Sequence, residues 1–174
     1  MFKSNERFSN SISKLQEAAK GEIQAFVIEE KEQVILAFLE FPSAVGNPYQ
    51  IVLVENEESM MRFCFRVWDK KYDLIRWKNG IYNLDRLRIV VKEHLLSQEE
   101  MQRLKTYFAH LKTQELPNIL ENDAFIRLDG SDFELKIQTE EMGVHYKWGI
   151  ATEDIQLFAP LIEMASKPFG EFID

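Results

Sequence analysis

The sequence has a single cysteine, Cys64, in 174 residues. That scarcity excludes an intramolecular disulfide and a zinc site built from cysteines. Glycine and proline are also sparse, at 7 and 5 residues, which excludes collagen-like repeats and argues against low-complexity linkers. No run approaches the roughly 18 apolar residues of a membrane span. The opening Met-Phe-Lys-Ser-Asn-Glu-Arg-Phe lacks the apolar core of a signal peptide. A cytoplasmic protein is the expectation. Missing too are the G-x-S-x-G nucleophile turn, the phosphate-cradling G-x-G-x-x-G and P-loop patterns, and the metal-binding H-E-x-x-H. The expectation is therefore a protein without cofactor or metal and without enzymatic activity; an enzyme would need a site assembled from scattered residues.

What is there suffices for a real core. A 45% hydrophobic content over this length fits a single globular domain spanning 1–174. Two sub-halves, 22–116 and 117–167, can be drawn within it, each a meander closed by a helix. Phe8, Ile12, Leu15 and Ala19 recur at helical spacing, and Gly21 stands where a C-terminal cap belongs. Residues 22–29 and 33–41 are rich in Ile, Val, Phe and Leu and read as a hairpin across Glu29-Glu30-Lys31-Glu32. A strand from Tyr49 to Val54 follows, then an acidic turn at Glu55-Asn56-Glu57-Glu58.

Residues 62–92 read as three antiparallel strands. Phe63, Phe65 and Val67 alternate with Arg62, Cys64, Arg66 and Trp68. Residues 72–78 form the second strand, Asn79-Gly80 the two-residue turn, and 86–92 the third. Ser97-Gln98-Glu99-Glu100 has the form of a capping box, and Met101, Leu104, Phe108 and Leu111 mark one face of a helix over 98–114. Strands at 124–128, 133–138 and 144–148 precede a last helix carrying Ile155, Phe158, Leu161, Ile162 and Ala165, with Pro160 in its first turn or at a kink. Runs of strands closed by helices predict an α+β fold, mainly antiparallel sheet with an N-terminal, a central and a C-terminal helix.

The net charge of −8 is unevenly spread. Residues 1–61 carry −5, residues 62–92 carry nine basic against three acidic residues, and residues 93–174 carry −9. An acidic body disfavours nucleic acid as a partner. The basic middle points to a sheet face made by Arg62, Arg66, Trp68, Arg76, Lys78, Arg86, Arg88 and Lys92, with Trp68 or Tyr82 adding stacking, that grips a carboxylate- or phosphate-bearing partner. The alternative is a solvated face that protects a sheet edge, with acidic segments of the same chain close by. The two acidic turns divide in the same way between imitation of phosphates toward a basic partner and ordinary turn polarity.

His94, His110 and His145 lack metal-ligand spacing, and Cys64 lacks a nucleophile motif although Arg62 and Arg66 share its face. Asp129/Asp132 and Glu140/Glu141 fall at predicted turns. Ile126-Arg127-Leu128-Asp129-Gly130, then Phe133-Glu134-Leu135-Lys136-Ile137, Tyr146-Lys147-Trp148 and Phe158-Ala159-Pro160-Leu161 resemble the tail of small bacterial proteins of the toxin-immunity type. The element order is also similar to type III secretion chaperones and YbjN-like proteins. The first resemblance implies a protein that binds and neutralises another protein; the second implies a dimer that holds a client. The partner expected from both is another protein, for a chain that is a monomer or a homodimer, with no membrane involved.

Overall fold

The computed structural model describes residues 3–42, 46–81, 87–114, 116, 131–140, 142–149 and 153–173, with the backbone alone for 3–12 and 153–155. It has the expected α+β architecture. One six-stranded antiparallel sheet runs in the order β4-β3-β2-β1-β5-β6, made of β1 (Glu32–Pro42), β2 (Tyr49–Asn56), β3 (Met61–Trp68), β4 (Ile89–Leu95), β5 (Ser131–Gln138) and β6 (Gly143–Trp148). Helices α1 (Lys3–Gln24) and α2 (Lys70–Lys78) lie in the N-terminal part. Helix α3 (Gln98–Leu111) follows β4, and α4 (Ala159–Ser166) and α5 (Gly170–Ile173) close the chain. β5 pairs with β1, so the two expected sub-halves share one sheet.

Strand alternation divides the core between the two faces of this sheet. On one face Phe38, Tyr49, Ile51, Leu53, Phe63, Phe65, Leu135 and Ile137 meet Leu104, Phe108 and Leu111 of α3 and Leu161 and Ala165 of α4. Phe65 stacks on Phe169 at 4.9 Å between ring centroids. A bulge in β1 between Val34 and Leu36 turns the consecutive Ile35 and Leu36 into this same core. Each such side chain taken fully from water contributes about 1.5–3 kcal/mol. On the other face the α1 stripe Leu15, Ala19 and Ile23 covers Leu39 and Trp68.

The capping box forms as read: Glu100 N–H donates to Ser97 Oγ, and Ser97 N–H donates to Glu100 Oε2 at 2.7 Å. Pro160 is the second residue of α4, where its missing N–H costs nothing. Two local readings are corrected. Residues 22–29 are not a strand: α1 runs through Gly21 to Gln24, because Ile23 prolongs the i, i+4 stripe of Leu15 and Ala19. Residues 72–78 are not a strand either, but lie in α2, so the basic middle holds two strands and a helix. Asp69 starts α2 by accepting from Tyr72 N–H. Asn79 ends it by donating to Ile75 and Arg76 carbonyls, and Gly80 follows at φ +83°. The positive φ that suggested a hairpin serves a helix C-terminus instead. The expected strand at 124–128, its Asp129-Gly130 turn, and Tyr82, Arg86 and Glu141 lie outside the described residues.

Asp73 fixes α2 on the sheet. It is 3% exposed, and its carboxylate accepts from Trp68 Nε1 at 2.9 Å, Arg76 Nη1 at 2.8 Å and the backbone N–H of Arg88 at 2.8 Å. Removing it leaves the Trp68 indole N–H and the Arg88 backbone N–H without this acceptor and takes from Arg76 its carboxylate. We expect Asp73→Ala to lower unfolding stability by about 3 kcal/mol in urea denaturation. Asp73→Asn, which keeps part of the acceptor set, should lose less, and equal losses for the two would contradict this account.

Candidate functional site

The predicted basic face does not form as one surface. Directly opposed residues of an antiparallel pair share a face, and β4 pairs with β3 so that Val91 opposes Arg66 while Lys92 opposes Phe65. Lys92 therefore lies on the opposite side of the sheet from Arg62 and Arg66, with its Nζ 5.1 Å from the centroid of the Phe172 ring. Arg76 and Lys78 belong to α2 rather than to a strand. Arg86 is outside the described residues. The expectation that these residues project from one side of a sheet is corrected by this register.

Most of the set is occupied within the chain. Arg62 forks onto both Glu32 carboxylate oxygens at 2.8 and 2.9 Å and also meets Glu93. Burial opposes the charge of Glu32, yet Arg62 and the Glu29 backbone N–H outweigh it and hold its carboxyl below the usual range. Arg66 donates to the carbonyls of Glu22 at 2.7 Å and Ala25 at 2.9 Å, closing the end of α1. Trp68 is fully buried. Arg88 pairs with Asp69 and lies 4.5 Å from the centroid of the Tyr72 ring.

The remaining candidates are spread apart. Cys64 is buried, and desolvation pushes its thiol up to about 11 against the pull of Arg62. His94 Nε2 lies 3.0 Å from Glu100 Oε1, and His145 Nε2 lies 2.8 Å from Glu134 Oε1, on different elements. His110 is exposed in the last turn of α3. Asp132 is in β5, away from Glu140 in the β5–β6 turn. Among the described residues, no group of three or more His, Cys, Asp or Glu is placed to hold a metal ion, and no helix is long and apolar enough to cross a membrane.

The fold instead assembles an acidic end. β1 begins where β2 ends, with Glu32 opposite Asn56, and Lys31 bridges the two turns by pairing with Glu57 at 3.0 Å. β3 begins and β4 ends beside them, with Arg62 opposite Leu95 and Leu96 N–H donating to Met61. The acidic first turn of α3, Glu99 and Glu100, starts just beyond. A shallow cleft of about 290 Å³ here is lined by Ile35, Met61 and Phe108 with two carboxylates, Glu55 and Glu140, and two lysines, Lys105 and Lys112. The same end exposes Met60, at 42%, and Leu95, at 59%. The opposite end of the sheet carries Lys70, Lys71, Arg76, Lys78 and Arg88 around α2, with Asp69 and Asp73 beside them and Glu40 and Asp132 at the same end of β1 and β5.

Sequence reading identified both acidic turns but not that they adjoin, nor that Met60 and Leu95 stand among them. Met60, an apolar residue two positions after the end of an acidic turn, was the available signal. Against protein-family models, curated proteins and solved structures, the chain has no match.

Two outcomes follow from the titrating groups. The raised thiol should make Cys64 alkylate about 100-fold more slowly at neutral pH in the folded protein than in denaturant; comparable iodoacetamide rates would contradict its burial. Hydrogen bonds from the backbone N–H and hydroxyl of Ser97, and then His94, bring the Glu100 carboxyl down to about 2. Its folded value lies below its ordinary one, so its stabilisation is present above about pH 4.5 and fades as pH falls toward 2. Glu100→Gln should therefore destabilise the protein more at pH 7 than at pH 2 in denaturant titrations, and a pH-independent difference would exclude that linkage.

Proposed function

We propose that this chain is a non-enzymatic cytoplasmic protein that binds a basic partner protein through its acidic end, as a toxin-neutralising immunity protein does. The observation that carries this reading is the meeting of the 29–32 and 55–58 turns beside the exposed Met60 and Leu95. Apolar side chains flanked by mainly acidic turns suit a protein partner. The charges steer encounter and set the sign of the partner, and the apolar centre excludes water. Glu30, Glu58 and Glu140 have no cationic partner among the described residues and remain available to one from outside. The resemblance of the C-terminal third to toxin-immunity proteins supports the narrower reading.

The test is capture from native lysate with the tagged protein, beside the variant Glu30→Lys, Glu57→Lys, Glu58→Lys. All three positions are exposed, and the Lys31–Glu57 pair is a surface one worth about 0–1 kcal/mol. One basic protein should be retained at low salt and lost both at high salt and in the variant. Produced alone it should arrest growth, and co-production of this chain should relieve the arrest. A partner retained equally by the variant would remove the acidic end from the account.

A further inference from the structure

Strand β4 is an edge. Among the described residues it pairs only with β3. The Leu96 N–H donates to Met61 and the Arg88 carbonyl accepts from Asp69 N–H, so the even-numbered residues of this strand turn their backbone groups toward β3. Ile89, Val91, Glu93 and Leu95 turn theirs outward, as the alternation of an antiparallel ladder requires. Val91 is 52% exposed and Leu95 59%. Both edges carry charge, Lys92 and Glu93 on β4 and His145 and Lys147 on β6, but β4 is one residue longer and also exposes the apolar Val91 and Leu95.

We propose that β4 is the interface of a homodimer, in which the strand pairs antiparallel with β4 of a second copy about a two-fold axis through Val91. A closed two-fold with the axis normal to the sheet places residues of the same face opposite one another. Within β4 only three registers of this kind pair five residues or more, centred on Val91, Lys92 or Glu93. Centring on Lys92 sets that lysine against its own copy, and centring on Glu93 does the same with two carboxylates; like charges directly opposed destabilise a ladder. Centring on Val91 opposes Val91 to Val91, Ile89 to Glu93 and Val90 to Lys92, with no like-charged pair among these five residues, and sets His94 opposite Arg88 just beyond them. Val91 then exchanges both backbone hydrogen bonds with its counterpart, and its exposed side chain gains an apolar partner. The two sheets become one continuous sheet of twelve strands. Because the paired strands run antiparallel, the acidic ends point in opposite directions; Leu95 of each copy lies opposite Leu87 of the other, while the 29–32 and 55–58 turns and Met60 belong to β1, β2 and β3 and are not part of the pairing.

Light scattering after size-exclusion chromatography of the full chain tests it at about 100 µM. The expected mass is twice the 20.5 kDa of the chain. Val91→Lys and Val91→Glu, each with an unchanged circular dichroism spectrum, should run as monomers alone, because each places like charges on the axis. Mixed in equal amounts they should restore the double mass. A monomeric parent protein, a dimer that survives Val91→Lys, or a mixture that stays monomeric would each overturn the proposal.

Discussion

Strand β3 is buried on both faces and still carries two arginines, and much of the α1 side of the sheet follows from finding acceptors for them. A guanidinium taken from water must be paired or hydrogen-bonded, or its burial costs several kcal/mol. Arg62 takes the Glu32 carboxylate in a fork and adds Glu93, which ties the first residue of β1 and the edge strand β4 to the centre of the sheet. Arg66 has no carboxylate: its terminal nitrogens donate to the carbonyls of Glu22 in α1 and Ala25 just past it, groups that a helix end leaves without partners, while its buried Nε has no acceptor among the described residues. The same contact places α1 over Leu39 and Trp68. Asp73 is the inverse case, one buried anion gathering donors from β3, α2 and the residue before β4. The three groups act as joints between elements whose apolar faces alone would leave their relative positions loosely specified.

The elements legible in the sequence are those whose local pattern matches the surface they bury. Phe63-x-Phe65-x-Val67 and Leu135-x-Ile137 alternate because each strand turns every second side chain into the same core, and Ser97-x-x-Glu100 announces a helix because its hydrogen bonds are local. Helix α2 was illegible for the converse reason. Of its nine residues only Asp73 is buried, so it carries no apolar stripe, and its position depends on Trp68 and Arg88, which lie outside the segment. Asn79-Gly80 misled because a hairpin turn and a helix C-terminus both accept a positive φ. Gly21 misled because a helix runs through a glycine when its buried stripe continues beyond it.

The candidate surface was half legible. Acidic turns can be read from Glu29-Glu30-Lys31-Glu32 and Glu55-Asn56-Glu57-Glu58 directly, but whether they adjoin depends on β1 lying beside β2 in register. The basic middle failed differently. Alternation assigns Arg62 and Arg66 to one face of their strand, but it contains nothing about what covers that face, and the side taken by Lys92 is decided by its pairing with Phe65. Side-chain parity is local, whereas strand order and register are properties of the whole sheet.

These placements sort the charges by whether the fold accounts for them. Arg62, Arg66, Arg76 and Asp73 each bond to a group elsewhere in the fold, Arg66 to the carbonyls at the end of α1, so the fold accounts for their presence. Glu30, Glu57 and Glu58 are exposed at hairpin ends and satisfy no buried group. Turn polarity would be met as well by Asn, Ser or Lys at these positions. Gathering carboxylates at one end also carries a repulsive cost, since charges within a Debye length of about 8–10 Å are incompletely screened. Lys31 and Arg62 moderate that repulsion without cancelling it. A feature that the fold does not need and that acts mildly against it is better explained by what it meets than by what it supports. By this reasoning the acidic end, rather than the arginines first singled out, is where recognition by a basic protein should be sought.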